Sequence, residues 1–173
     1  MKTENRVLLK KRAVEMAREP ECRTDGSGYT GIISFSLSDE NYGIETDFVS
    51  EVYHIKEFTP LPGLPAYFLG VINVRGKILE VIDLKKLFNL SDKGFGELNK
   101  VIILRNEQME FGILADVVHG IQIVAVEDIK AVPQIVTGIG EKYLIGVTKE
   151  HLIILSAENL LSDKSIIVNE EVT

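Results

Sequence analysis

From Thr30 to Ser156 the chain is a succession of short β-branched runs separated by turn residues, and no other feature limits its fold so strictly. ISFSL (33–37) alternates apolar and polar, SDEN supplies a turn, and YGIE resumes the pattern. VINV, KILEVID, KVIILR, EFGILAD and GIQIVAV follow, and LIGVT and LIILS close the series. Runs this short, spaced by turn signals, are the pattern of an all-β barrel or sandwich. Helical spacing is scarce within it. Short helical turns are expected at 47–50, 84–89 and 157–161, each at a strand end. A longer helix is predicted over 5–19, where Leu9, Ala13, Met16 and Ala17 fall at i, i+4, i+7 and i+8. Pro20 and the polar stretch ECRTDGSG end it. The chain therefore divides into a helical extension and linker (1–28), a β domain (29–165) and a tail (166–173).

The β region also echoes itself. Tyr42-Gly43-Ile44 corresponds to Phe111-Gly112-Ile113, Leu61-Pro62 to Val132-Pro133, and Tyr67-Phe68-Leu69-Gly70-Val71 to Tyr143-Leu144-Ile145-Gly146-Val147. Each copy ends in a similar tail, DLKKLF in the first and AENLL in the second. The order is preserved and the offset grows in one direction, as a loop insertion would produce. Two similar β-units of about 70 residues, each near the lower limit for independent folding, are expected to pack together and leave a groove between them.

Composition removes several classes of function. The net charge of −7 is divided unevenly: residues 1–28 hold seven Lys/Arg against five Asp/Glu, and the remainder 12 against 21. An acidic body does not supply the clustered cations that nucleic acid requires, and 7% aromatics with no tryptophan give a poor stacking platform. No nucleic acid is expected as a partner. No apolar run approaches the ~20 residues of a membrane span, and the N-terminus lacks the pattern of a signal peptide, so a cytoplasmic protein without direct membrane insertion is expected. The single cysteine, Cys22, agrees with a reducing compartment.

Chemistry is equally hard to find. His54, His119 and His151 are scattered and have no partner at metal-ligand spacing. No serine sits in a G-x-S-x-G elbow. TGIGEKY, with Gly138 and Gly140, lacks the third glycine and the Lys-Ser/Thr of a phosphate loop and is expected to be a plain loop. Asp83, ahead of LKKLF, is expected to cap a short helix, as is Ser156 ahead of AENLL. Neither catalytic residues nor a metal or cofactor are expected, and an enzyme is disfavoured.

GVINVRGKILEVIDL (70–84) is the segment that stands out. Val74-Arg75-Gly76-Lys77 reads as a tight turn between two strands, with Gly76 supplying a positive φ. The longer segment LPGLPAYFLGVINVRGKILEVIDLKKLF (61–88) resembles the signature of the CheW family of bacterial chemotaxis coupling proteins. The resemblance runs from about Ser34 to Leu161, through FSLSDENYGIETDFVSEV, FGILADVVHGI and YLIGVTKEHLIILSAENLL. The Asn-x-Arg-Gly block is its specific part. Glu80 departs from it, since many members carry proline there.

The resemblance implies two intertwined, SH3-like, five-stranded β-barrel subdomains packed around a shared hydrophobic core, and a non-enzymatic adaptor. Its implied partners are the cytoplasmic tip of methyl-accepting chemoreceptors and the regulatory domain of a CheA-type histidine kinase, with the protein recruited to membrane-associated receptor arrays. A scaffold for a parallel pathway controlling pili, biofilm or development is the alternative, and a small-ligand-binding barrel a more distant one. Carried over by position, the receptor groove would use Val49, Glu51, Arg75, Gly76, Val101, Ile102 and Ile121. Gly70, Asn73 and Asp83 would have turn or structural roles. Arg75 would pair with Glu51 and brace the groove wall, or meet the receptor directly; the brace is the reading we favour. Read from the residues alone, Val49, Val101, Ile102 and Ile121 would all be core.

Overall fold

The computed structural model describes residues 28–92, 94, 96, 99–131 and 139–166. The expected N-terminal helix, Cys22, Val132-Pro133, Gly138 and all of the tail except Ile166 lie outside the described residues. Ten strands form the body: β1 (Tyr29–Leu37), β2 (Glu40–Glu45), β3 (Val49–His54), β4 (Phe68–Val74), β5 (Lys77–Ile82), β6 (Lys100–Arg105), β7 (Glu110–Ala115), β8 (Val117–Ala125), β9 (Leu144–Val147) and β10 (Ile153–Leu155). Two short helices, α1 (Leu84–Leu87) and α2 (Ala157–Ser162), follow β5 and β10. Single 3-10 turns occupy Thr46–Phe48, Val126–Asp128 and Ile139–Tyr143. Val49 and Ser50, expected in a helical turn, already belong to β3.

The strands make two five-stranded sheets, ordered β8-β1-β2-β10-β9 and β3-β6-β7-β5-β4. The sequence echo is real in space, but its halves are not the barrels. If β1–β5 and β6–β10 are the two halves, each sheet takes two strands from one half and three from the other. The exchange occurs at two parallel pairs. Gly43 and Ile44 of β2 lie opposite Ile154 and Leu155 of β10, while Gly112 and Ile113 of β7 lie opposite Val81 and Ile82 of β5. The two barrels are thereby intertwined, each built from strands of both halves. The matching glycines have a common cause. A Cβ on Gly43 would lie 2.5 Å from Ile32 Cγ2, and one on Gly112 would lie 2.3 Å from Val101 Cγ1.

Each sheet closes on itself in the same way. The chain just past β3 returns so that Thr59 exchanges two backbone hydrogen bonds with Val71 of β4, at 2.8 and 2.9 Å. The chain past β8 does the same through Lys130 and Val147 of β9, at 3.0 and 2.8 Å. Gly70 and Gly146 precede the bonded valines, and a Cβ on either would lie 2.3 or 2.4 Å from the carbonyl oxygen of Thr59 or Lys130. Glycine is what lets the two backbones meet at each seam.

Packing divides into three layers. Ile72, Leu79, Val81, Val101, Ile103 and Leu114 fill the second barrel, and Ile32, Val124, Leu152 and Ile154 the first. Between the sheets lies the largest cluster, including Phe35, Ile44, Ile82, Ile102, Leu104, Phe111 and Ile113. A central strand such as β6 is therefore buried on both faces, which is why KVIILR is an unbroken apolar run and not an alternating one.

Candidate functional site

The ladder of β4 and β5 ends on Val74 opposite Lys77, leaving Arg75 and Gly76 as a two-residue loop. Both have positive φ, 52° for Arg75 and 83° for Gly76, the geometry of a type I′ turn. Asn73 helps to hold it: its Oδ1 accepts the Gly76 N–H at 2.8 Å. Asparagine or glycine adopts the first position of such a turn without strain, whereas an arginine there is forced into a sparsely populated region.

The side chain gives a reason. Arg75 Nη2 lies 3.0 Å from Glu51 Oε2. Glu51 is on β3 and Arg75 directly follows β4, the two edge strands of the second sheet, so the pair links the two edges. With the Arg75 side chain 84% exposed, the pair adds only about 0.2–1 kcal/mol of stability. Beside it a depression of about 250 Å³ opens at the mouth of the second barrel. Val74, Leu79 and Ile103 floor it, and Glu51, Arg75, Lys77 and Glu110 rim it. Lys77 and Glu110 form a second ion pair across the neighbouring parallel strands. The result is a shallow depression whose rim alternates in charge and whose apolar residues are nearly covered.

The remaining positions separate. Val101 and Ile102 are fully buried, Val101 inside the second barrel and Ile102 in the layer between sheets. Both faces of β6 are covered, so these two side chains cannot be groove anchors, and the assignment is corrected to core. Val49 is half-buried against the shared core. Ile121 is 69% exposed, but it lies on β8 of the other sheet and does not line the depression. Asp83 accepts the Lys85 N–H at 3.0 Å and caps α1, while Ser156 Oγ accepts the Asn159 N–H at 3.1 Å and caps α2. The half-symmetry extends here too, since Asp83 N–H donates to Tyr67 O and Ser156 N–H to Tyr143 O, both at 2.7 Å. Glu80 is half-buried on β5 opposite Val71, and burial pushes its carboxyl above the ordinary value.

One group escaped sequence reading. Lys85 is fully buried, its Nζ 2.7 Å from Asp116 Oδ1 and 3.3 Å from Asp92 Oδ1. Asp116 Oδ2 also accepts the Ser38 N–H at 2.8 Å. Burial alone would lower the lysine's pKa, but the hydrogen bond and charge of Asp116, with Asp92 and Asp83, raise it overall. The cluster ties α1, the β7–β8 junction and the β1–β2 turn together. In the sequence this lysine reads as part of a basic surface turn, and nothing local marks it for burial. Among the described residues no group of three or more His, Cys, Asp and Glu is placed to hold a metal ion, and no helix is long and apolar enough to cross a membrane.

Comparison with known proteins agrees with the architecture. Residues 31–165 match the family described as the CheW-like domain. The chemotaxis protein CheW of Treponema pallidum is 34% identical over 142 residues, covering 78% of this chain and 84% of that protein. The chemotaxis protein CheW of Klebsiella aerogenes is 30% identical over 141 residues, 80% of this chain and 85% of that one. The crystal structure of the scaffolding protein TtCheW from Thermoanaerobacter tengcongensis superposes with a TM-score of 0.66 at 32% identity, over 73% of this chain and 87% of that one. A family match across nearly all described residues, on two interlaced five-stranded barrels, makes this chain a member of the CheW family of non-enzymatic scaffold adaptors.

Proposed function

We propose that the chain is the chemotaxis adaptor that couples methyl-accepting chemoreceptors to a CheA-type histidine kinase within membrane-associated arrays. The observation that carries the reading is Arg75. An arginine stands in a turn position that favours asparagine or glycine, exposed and steered by Glu51 at the rim of a largely polar depression. Local strain of this kind is characteristic of sites that serve a partner more than the fold. The receptor tip, a helical hairpin, would lay apolar side chains beside the Glu51–Arg75 pair and along Val49, with Gly76 allowing close approach and Ile121 contributing from the other sheet. The kinase regulatory domain would use a separate surface, so that both partners bind at once.

Amide NMR with a receptor-tip fragment tests this. The account expects shifts concentrated at Val49–Glu51, Arg75–Lys77 and Ile121, and a different set with the kinase domain. Receptor shifts confined to other surfaces, with the protein folded, would refute the placement. Saturable binding to neither partner would direct the search to a parallel pathway.

A further inference from the structure

Ile121 and Ile123 are the two most exposed of the large apolar side chains among the described residues, at 69% and 67%. They stand two positions apart on one face of β8, an edge strand, beside Ile33 and Gly31 of β1. Ile33 belongs to the layer between the sheets, so the stripe continues that layer beyond the cover of the second sheet. Gly31 adds no side chain, and Thr46 closes over it. Tyr29, opposite Ala125, extends the same face. The equivalent positions on β3 are Val52, opposite Ile102, and His54, opposite Lys100. That counterpart is far less apolar, so the stripe is a property of β8 and not of the repeated architecture.

We propose that residues 5–19 of this same chain dock on the β8 stripe as an amphipathic helix. Three observations name this occupant. Its apolar positions, Leu9, Ala13, Met16 and Ala17, have the spacing of one narrow face of a helix, a face with little to bury against on its own. Reach is sufficient: the chain enters β1 at Tyr29 opposite Ala125, and Ile121 lies four residues, ~14 Å, back along β8. Residues 20–27 can span up to ~28 Å, and a helix over 5–19 is ~22 Å long. Charge is complementary, since 5–19 carries five Lys/Arg against two Glu, while Glu127 sits in the turn that ends β8. A tether this short gives an effective concentration in the mM range, so even a weak contact is substantially occupied. A receptor helix using Ile121 would have to displace the segment. The docking itself involves this chain alone and is tested without a receptor.

The test is paramagnetic broadening in the full chain, with Cys22→Ser and Lys10→Cys carrying a nitroxide. The expected result is selective broadening of amides from Gly120 to Ala125 and from Tyr29 to Ile33, independent of protein concentration. Leu9→Ser with Met16→Ser, changes that leave the β domain untouched, should restore those signals to the intensity of the reduced-label control. Uniformly weak broadening, or none on β8, overturns the proposal. Broadening seen only between labelled and isotope-labelled chains also overturns it, by making a second copy the occupant.

Discussion

Replacing Arg75 with asparagine separates what the turn needs from what the partner needs. The φ of 52° costs an arginine about 1–2 kcal/mol, a penalty that asparagine largely escapes. The same change deletes the Glu51 pair at 3.0 Å, whose exposed guanidinium limits the loss to about 0.2–1 kcal/mol. The Asn73–Gly76 hydrogen bond is untouched. The two effects oppose each other, so R75N should be as stable in urea as the wild type or more stable, by up to about 1.8 kcal/mol. Receptor-tip affinity should fall at least about tenfold, ~1.4 kcal/mol, because the Glu51–Arg75 brace that shapes the groove wall is gone. Urea unfolding followed by circular dichroism gives the first quantity and calorimetric titration the second. A loss of more than ~2 kcal/mol in stability with unchanged receptor affinity would refute the reasoning, because Arg75 would then be a structural clasp and nothing more.

Lys85→Met should cost about 2–3 kcal/mol in urea unfolding, because it removes the buried ammonium from Asp116 and Asp92; an unchanged midpoint would mean that burying the charge cancels its hydrogen bonds. Gly70→Ala should cost about 2–3 kcal/mol, since its Cβ would strike the Thr59 carbonyl across the seam, whereas Gly63→Ala, with positive φ but open space around it, should cost about 1 kcal/mol; equal losses would remove the seam explanation. Asp163 is pushed up by burial but pulled further down by hydrogen bonds from Lys142, Ser165 and Tyr143, so its carboxyl sits below the ordinary range. A depressed folded pKa stabilises above the unfolded value of about 3.9 and loses that contribution as pH falls toward the folded one. Asp163→Asn should therefore be less stable at pH 6, with the difference from wild type shrinking below about pH 4; a difference independent of pH would assign the loss to packing.

Much of the fold is written locally. The strands follow from β-branched runs between turn residues, and both helix caps, Asp83 and Ser156, sit where a side-chain oxygen must meet orphan amides. The Arg75-Gly76 turn is equally local. What could not be read depends on contacts distant in sequence. The parallel pairing of β2 with β10 and of β5 with β7 is absent from either half taken alone, so the echo shows two like units but not which strands they exchange. Val101 and Ile102 read as core from the residues alone, as their full burial bears out; their place in the groove came only from the resemblance, and a strand covered on both faces has no side chain to offer there. Lys85 went inside because Asp116, 31 residues away, came to meet it.

The most direct test of the coupling account is a calorimetric titration of the full-length protein with a CheA-type kinase regulatory domain, repeated with the receptor-tip fragment present at saturation. The account predicts saturable binding in both titrations with unit stoichiometry, the receptor leaving the kinase site open. Loss of kinase binding once the receptor is bound would place both partners on one surface and contradict the role of a scaffold that joins them.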